Sequence, residues 1–301
     1  MHSHNHTEHQ HHHYHVAPWR LLVTIVLNFI ITIAQIIGGI LSGSLSLISD
    51  ALHNFSDGIA IIISYIAIRL NKKPKNFKYT FGYKRAEILA AVFNAAVLIG
   101  IGFYLLIEAY ERFRNPVVIE GKLMTTVAII GLLANFLGII LLKPGTSNNM
   151  NIRSAYLHLM SDTFSSVGVV LGGLAIYFFN IYWIDPVLTL IISIYIIKES
   201  YSIIKESIDL LMMAAPSNIS IPEIEEKLSR INNINNLHHV HLWRINDTDI
   251  HFEAHVETDD IPISKTDDIL RQIEQVLKEN FGIYHVTIQF ECQKCGIKKL
   301  V

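Results

Sequence analysis

The chain has 301 residues, of which 51% are apolar and only 17% are charged. Soluble proteins average about 25% charged residues, so this composition excludes a disordered chain and argues against an ordinary cytosolic enzyme. The net charge of −2 predicts no nucleic-acid partner, and two cysteines cannot form a disulfide framework.

The first 15 residues are rich in histidine and contain eight of the sixteen histidines of the chain. They are too polar for a signal peptide, which needs an apolar stretch. An expression tag would also be rich in histidine, but the interleaved Ser, Asn, Thr, Glu and Gln favour a native tail. Such a segment cannot bury a core, so residues 1–18 are predicted to be a disordered cytoplasmic tail.

Six apolar stretches follow, each long enough for the ~20 residues that a membrane helix needs. They lie at residues 19–42, 46–70, 84–111, 123–143, 154–180 and 184–212. The sequence therefore predicts an α-helical membrane protein with six transmembrane helices over residues 19–212. Lys and Arg concentrate between the second and third stretches, which predicts that this loop faces the cytoplasm. An even number of spans then puts both termini on the cytoplasmic side.

The remaining segment, residues 213–301, is more charged and has no stretch long enough to cross a membrane. Its patterns predict helix 221–230, strands 237–245 and 249–257, helix 264–280 and strand 283–291. Asn246-Asp247 is predicted to form the turn between the first two strands, and Ser264 to begin the second helix. This αββαβ order predicts a cytoplasmic ferredoxin-like α+β domain.

The motif L-H-x-x-S-D occurs twice inside the predicted spans, at residues 52–57 and 157–162. In each copy, His and Asp are four residues apart, so they share one helix face about 6 Å apart along the axis. Two such helices facing each other would supply two imidazole nitrogens and two carboxylate oxygens to one ion. The four side chains are those of His53, Asp57, His158 and Asp162.

Charge balance favours a metal between these helices. An ionised aspartate at the centre of a membrane helix costs roughly 2.5–3.5 kcal/mol, so two of them need a partner. Neither motif contains a Lys or Arg, whereas a divalent cation would neutralise the two carboxylates. Four N and O ligands in a tetrahedron suit Zn²⁺. The alternative is that each His/Asp pair only packs within its own bundle.

The sequence lacks both the metalloprotease motif HExxH and the phosphate-binding motif GxxxxGK[ST]. We therefore expect a transporter and not an enzyme, driven by an ion gradient and not by ATP bound at a P-loop. His and Asp bind either protons or metal, so a Zn²⁺/H⁺ antiporter is the leading hypothesis. A metal-sensing membrane protein without transport and a passive cation channel are the alternatives.

These motifs, the six spans and the αββαβ tail resemble the cation diffusion facilitator family of zinc transporters, in its bacterial zinc/cadmium-efflux type. The stretches at residues 46–51, 81–87, 183–186 and 238–243 add to the resemblance. It implies a homodimer in the plasma membrane, whose four motif residues form the transport site and exchange Zn²⁺ for H⁺ by alternating access. Asp185 and Pro186 are also suited to the N-cap and first position of the sixth span.

The same resemblance implies a zinc site in the C-terminal segment. Its expected ligands are His238, His255, Glu291, Cys292 and Cys295. The two cysteines form a C-x-x-C pair with a spacing that suits Zn²⁺, although a reduced surface pair is the alternative. His239 and His241 would lie on the strand face opposite to His238, which leaves the register open.

Other polar residues in the spans have simpler interpretations. We expect interhelical hydrogen bonds from the amides of Asn28, Gln35, Asn94 and Asn135. Asp50 lies one turn before His53. It either lines a metal path or caps the start of its helix.

Overall fold

The structure is a computed structural model that describes residues 18–71, 73–143, 150–246, 249–292 and 299–301. Three features predicted from the sequence therefore lie outside the described residues. They are the histidine-rich segment before Pro18, the turn residue Asp247 and the expected ligand Cys295.

Six long helices make up the first part of the chain, as predicted. They are α1 (Pro18–Ser42), α2 (Leu45–Asn71), α3 (Ala86–Arg114), α4 (Gly121–Leu142), α5 (Met150–Phe179) and α6 (Ile184–Leu211). Five helices in the described part of the chain, α1 and α3 to α6, are long and apolar enough to cross a membrane. The remaining one, α2, has 27 residues, and the polar residues Asp50, His53 and Asp57 interrupt its apolar sequence. The predicted helical membrane architecture is confirmed.

The chain divides into two compact units, and the first consists of residues up to Ile62 together with Ala96–Tyr201. Within it, α4 packs against α5 and α1. Two glycines let the backbones of α4 and α5 approach closely. A Cβ atom on Gly121 would lie 2.7 Å from the backbone nitrogen of Tyr177, and one on Gly173 would lie 3.2 Å from the Cα atom of Thr125. Small residues thus allow the tight helix packing that is typical of membrane proteins.

The first turn of α2 is capped by a residue of another helix, Asp185. Its carboxylate accepts hydrogen bonds from the Ser44 hydroxyl at 2.7 Å and the Leu45 amide at 2.8 Å. The amide and hydroxyl of Ser46 donate to the same carboxylate at 3.1 and 2.6 Å. The predicted N-cap role within its own helix is wrong, because α6 begins one residue earlier, at Ile184. The carboxylate instead satisfies the free N–H groups at the start of α2.

The second unit consists of Ile63–Ala95 and Ser202–Val301. Its C-terminal domain contains α7 (Ile221–Leu228), β1 (Asn236–Arg244), β2 (Ile250–Thr258), α8 (Ile263–Phe281) and β3 (His285–Cys292). The strands form one sheet in the order β1-β2-β3, in which β1 is antiparallel and β3 parallel to β2. The predicted αββαβ order is confirmed.

The C-terminal domain is held together by apolar side chains of α7, α8 and the sheet. Leu228 of α7, Phe252 of β2 and Leu277 of α8 are all fully buried in this core. The predicted start of α8 at Ser264 is wrong by one residue, because the helix begins at Ile263 after Pro262, without a side-chain cap. The core therefore fixes the sheet that carries the histidines of this domain.

Candidate metal centres

The two copies of the repeated motif lie on facing helices, α2 and α5, and their His and Asp side chains converge. The Asp57 carboxylate lies 3.1 Å from Nε2 of His158 and 3.7 Å from Nε2 of His53. The Asp162 carboxylate lies 3.6 Å from Nε2 of His158 and 3.7 Å from Nε2 of His53. We call these four side chains, in which histidines and aspartates alternate, the membrane ring.

The spacing of the membrane ring is close to that of a tetrahedral metal site. Zn²⁺ with ligand bonds of about 2.0–2.2 Å separates its ligand atoms by about 3.3–3.6 Å. His53, His158 and Asp162 each offer an atom within 4.8 Å of the others. Asp57 contacts both histidines but is outside that group of three. Three ligands of the ring are therefore already grouped around one point, and the fourth, Asp57, lies within 3.7 Å of both histidines.

Burial makes the ring costly without a bound cation. The side chains of His53 and Asp162 are only 8% and 4% exposed. Neither ring nitrogen of His53 has a hydrogen-bond partner within the described ranges. An unsatisfied buried polar atom costs about 1–3 kcal/mol, and coordination of a metal would remove that cost at one nitrogen. The donor set of the ring thus fits a divalent cation.

The charge of the ring supports the same conclusion. In the part of the chain that the structure describes, the ion pairs of these four side chains join them only to one another. With neutral imidazoles the two aspartates carry a charge of −2. A divalent cation balances that charge in a place where burial disfavours a net charge.

Asp50 lies beside the membrane ring and connects three helices. Its carboxylate accepts hydrogen bonds from Gln35 of α1 at 3.1 Å and from Ser165 and Ser166 of α5 at 2.9 and 3.2 Å. Asn135 of α4 donates to the Ser166 hydroxyl at 3.3 Å. The interhelical hydrogen bonds expected of Gln35 and Asn135 are therefore confirmed. Asp50 does not cap α2, whose first turn binds Asp185 instead.

A third helix reaches the ring through Tyr195 of α6. Its hydroxyl is hydrogen-bonded to Ser161 at 2.8 Å, and the centroid of its ring lies 6.3 Å from that of His53. Nothing in the sequence marks this residue as part of the site, because a tyrosine in an apolar helix carries no signal of its own.

A second group of ligands lies in the C-terminal domain, where β1, β2 and β3 contribute His238, His255 and Glu291. The Glu291 carboxylate lies 3.3 Å from Nε2 of His238 and 3.0 Å from Nδ1 of His255. The three residues offer atoms that all lie within 4.8 Å of one another. We call them the tail cluster, and the structure thus brings together three of the five ligands expected there.

Neighbouring amides orient the tail cluster. Nδ1 of His238 lies 3.0 Å from Oδ1 of Asn236, and Gln289 donates a hydrogen bond to Glu291 at 2.8 Å. Because an amide oxygen only accepts, Nδ1 of His238 carries the hydrogen, and Nε2 presents its lone pair towards Glu291. Hydrogen bonds of this kind fix the tautomer and direction of metal-binding histidines.

A β-bulge decides the register that the sequence left open. The pairing of β1 with β2 shifts between His238 and His241, and His239 adopts a φ of +51°. The bulge brings the ring centroid of His239 to 4.6 Å from that of His255. Nε2 of His239 lies 3.3 Å from Nε2 of His241. Simple alternation does not anticipate the contact between His239 and His255, because a bulge adds a residue to one strand.

The structure does not bring Cys292, another expected ligand, together with the tail cluster. Successive residues of a strand point to opposite faces, and Cys292 directly follows Glu291 in β3. Accordingly Glu291 is buried while Cys292 is an exposed free cysteine. The tail cluster therefore has only His238, His255 and Glu291 among its described ligands, and Cys295 lies outside the described residues.

Two ionisable groups elsewhere in the C-terminal domain have shifted pKa values. Lys84 donates a hydrogen bond to Asp249 at 2.6 Å, and this contact lowers the pKa of Asp249. Burial lowers the pKa of His251, and the neighbouring His285 adds to the effect. The ring centroids of the two histidines are 4.0 Å apart. His251 therefore stays neutral at pH values at which a free histidine is already partly charged.

Two family models match the chain. The cation efflux transmembrane domain matches residues 21–212, and the cytoplasmic domain of cation efflux proteins matches residues 216–293. The chain belongs to the cation efflux family, the cation diffusion facilitators. The family resemblance inferred from the motifs is therefore confirmed, and the chain is a multi-pass membrane protein of a transporter family.

Curated relatives of this family cover most of the chain. A "Cadmium, cobalt and zinc/H(+)-K(+) antiporter" of Bacillus subtilis is 42% identical over 87% of this chain and 85% of its own. The "Metal cation efflux system protein CzcD" of Cupriavidus metallidurans is 35% identical over 87% of this chain and 83% of its own. The "Zinc transporter ZitB" of Escherichia coli is 35% identical over 87% of this chain and 84% of its own.

Proposed function

We propose that this protein exports divalent metal cations, with Zn²⁺ as a principal substrate, in exchange for protons. The observation that carries the proposal is the membrane ring, in which two histidines and two aspartates alternate at 3.1–3.7 Å. Membership of the cation efflux family and the metals named for its relatives support the same substrate class.

The ring is suited to exchange because protons and metal compete for the same atoms. Imidazole nitrogens and carboxylate oxygens bind a metal only when they are deprotonated. A ring that meets a neutral compartment takes up the cation, and one that meets a more acidic compartment releases it as protons bind. Export of a doubly charged ion against an inside-negative potential costs about 4.6 kcal/mol per 100 mV, which an inward proton gradient can supply.

We further propose the domain organisation and membrane orientation that the sequence predicts. Residues 1–18 form a cytoplasmic tail, residues 19–212 the membrane domain, and residues 213–301 a cytoplasmic domain through which two copies form a homodimer. Both termini lie in the cytoplasm, and the protein resides in the plasma membrane. The concentration of Lys and Arg between α2 and α3 supports this orientation.

We also propose that the tail cluster holds zinc as a structural ion. His238, His255 and Glu291 would bind it. The sequence predicts Cys295 as a further ligand. Zinc there would stabilise the C-terminal domain and its docking to a second copy, since metal binding contributes folding energy.

Zinc flux into proteoliposomes under an imposed pH gradient tests the transport proposal. We expect wild-type protein to transport Zn²⁺ when the gradient is present and the variants Asp57→Ala and Asp162→Ala to have lost transport. Asp209→Ala, at an exposed position of α6, is the matched control and keeps wild-type flux.

The same measurement separates the alternatives. Zinc binding without flux would indicate a metal sensor, and flux that ignores the pH gradient would indicate a passive channel. Normal flux in both ring variants would show that the transport site is elsewhere.

A further inference from the structure

An acidic residue of α6, Glu199, lies next to the membrane ring without belonging to it. It follows Tyr195 by four residues, so both side chains share one face of α6. Glu199 is hydrogen-bonded to the Tyr195 hydroxyl and is close enough to His158 for their charges to interact. It therefore adds a carboxylate to this region from a helix that carries neither copy of the repeated motif.

One oxygen of Glu199 is available to a ligand. Its Oε2 atom is buried and has no hydrogen-bond partner within the ranges that the structure describes. An ionised carboxylate within a membrane helix costs roughly 2.5–3.5 kcal/mol, and one tyrosine hydroxyl satisfies only part of its bonding capacity. A purely structural role as the partner of Tyr195 leaves this second oxygen unexplained, whereas contact with a passing cation accounts for it.

The position of Glu199 along α6 indicates from which side such a cation comes. Four residues separate Glu199 from Tyr195, or about 6 Å along the axis, towards the end of α6 from which the chain continues into the C-terminal domain. Because α5 and α6 are antiparallel, His158 lies nearer to that same end than Asp162. His158 is also the more open of the two, with 37% of its side chain exposed against 4% for Asp162.

We propose that Glu199, the Tyr195 hydroxyl and His158 form a waiting position for the divalent cation ahead of the membrane ring. The inference rests on the proposed transport function and adds the route by which the substrate arrives. Carboxylate and hydroxyl oxygens suit a metal ion that still keeps several of its waters. His158 belongs to both positions, so it can pass the cation to Asp57 and Asp162 as those waters are lost.

The test uses Glu199→Gln, which removes the charge but keeps a group able to hydrogen-bond Tyr195. Initial rates of proton-driven zinc transport are measured against zinc concentration, with the metal on the side of the C-terminal domain. We expect the apparent KM for Zn²⁺ to rise about tenfold, because one nearby opposite charge is lost, while the maximal rate stays unchanged. Glu199→Asp keeps the charge and should stay close to the wild-type KM.

Glu206→Gln is the matched control, since this glutamate is an exposed residue further along α6 and should leave the curve unchanged. An unaltered KM in Glu199→Gln, or a rise that Glu199→Asp shares in full, overturns the waiting position. A wild-type protein without proton-driven flux overturns the proposed function itself. The two failures are therefore distinguishable in one series of measurements.

Discussion

The membrane ring and the tail cluster use the same ligand chemistry but are supported in different ways. In the tail cluster, Asn236 and Gln289 hold His238 and Glu291 in place by hydrogen bonds. In the membrane ring, neither nitrogen of His53 has a hydrogen-bond partner within the described residues. The ring also has two carboxylates for its two histidines, whereas the tail cluster has one.

The difference suits two functions. The membrane ring would bind and then release its ion, whereas the tail cluster would retain one. Ligands that are oriented by neighbouring groups bind a metal tightly, because less order is lost on binding. Ligands that contact mainly one another can rearrange as protons replace the metal. On the proposed function, the looser ring is therefore the one suited to let its ion go.

Removal of Glu291 should have the largest effect on the difference between the two sites. We expect Glu291→Ala to weaken zinc binding in the C-terminal domain by about 100-fold, because Glu291 is the only charged ligand of the tail cluster when the imidazoles are neutral. Bound zinc per chain, measured by equilibrium dialysis of the full protein, should fall while proton-driven flux at saturating zinc persists. Glu274→Ala, on the exposed face of α8, serves as the control. Unchanged zinc content would mean that the tail cluster does not hold the ion.

A milder change tests whether orientation matters in the tail cluster. Asn236→Ala keeps all three ligands but removes the hydrogen-bond acceptor of His238, so we expect zinc affinity there to fall by about tenfold. Asn235→Ala is the matched control, because this neighbouring amide bonds Asp259 and not a ligand. Competition with a zinc chelator measures both variants. Equal affinities would remove the distinction between an oriented and an unoriented site.

A weaker effect is expected for the pH dependence of the stability of the C-terminal domain, through His251, which is not a ligand of the tail cluster. The pKa of His251 is lowered by burial, so its contribution to stability is present above about pH 6.5 and is lost as the pH falls towards the folded-state pKa. Thermal unfolding of metal-free protein should therefore show a modest loss of stability between pH 7.5 and 5.5. His251→Phe should make that dependence shallower, because it removes the group whose lowered pKa causes it. An identical slope would contradict the assignment to His251.

The four residues of the membrane ring could be predicted from the sequence, because the spacing of His and Asp within each helix is a local property. A four-residue spacing on a helix places His and Asp on one face regardless of the surroundings, and the repeat of the motif marked both helices. The elements of the C-terminal domain followed from periodicity for the same reason. All of their observed ends lie within two residues of the expected ones.

What the sequence could not indicate depends on packing between distant segments. The bulge at His239 changes the face of each following residue, and alternation alone cannot reveal it. Cys292 was assigned to the tail cluster by resemblance, although its place after Glu291 in β3 turns it to the opposite face. Tyr195 and Glu199 become relevant only because α6 lies against α5.

The capping of α2 by Asp185 has a mechanical consequence for alternating access. Four hydrogen bonds fasten the first turn of α2 to the first turn of α6, so these two ends cannot slide past each other without exposing a buried carboxylate. Any rocking of α2 must therefore pivot about this joint, with the largest swing at the far end of the helix. The two ring residues that α2 carries, His53 and Asp57, would then move with that swing relative to Glu199 on α6.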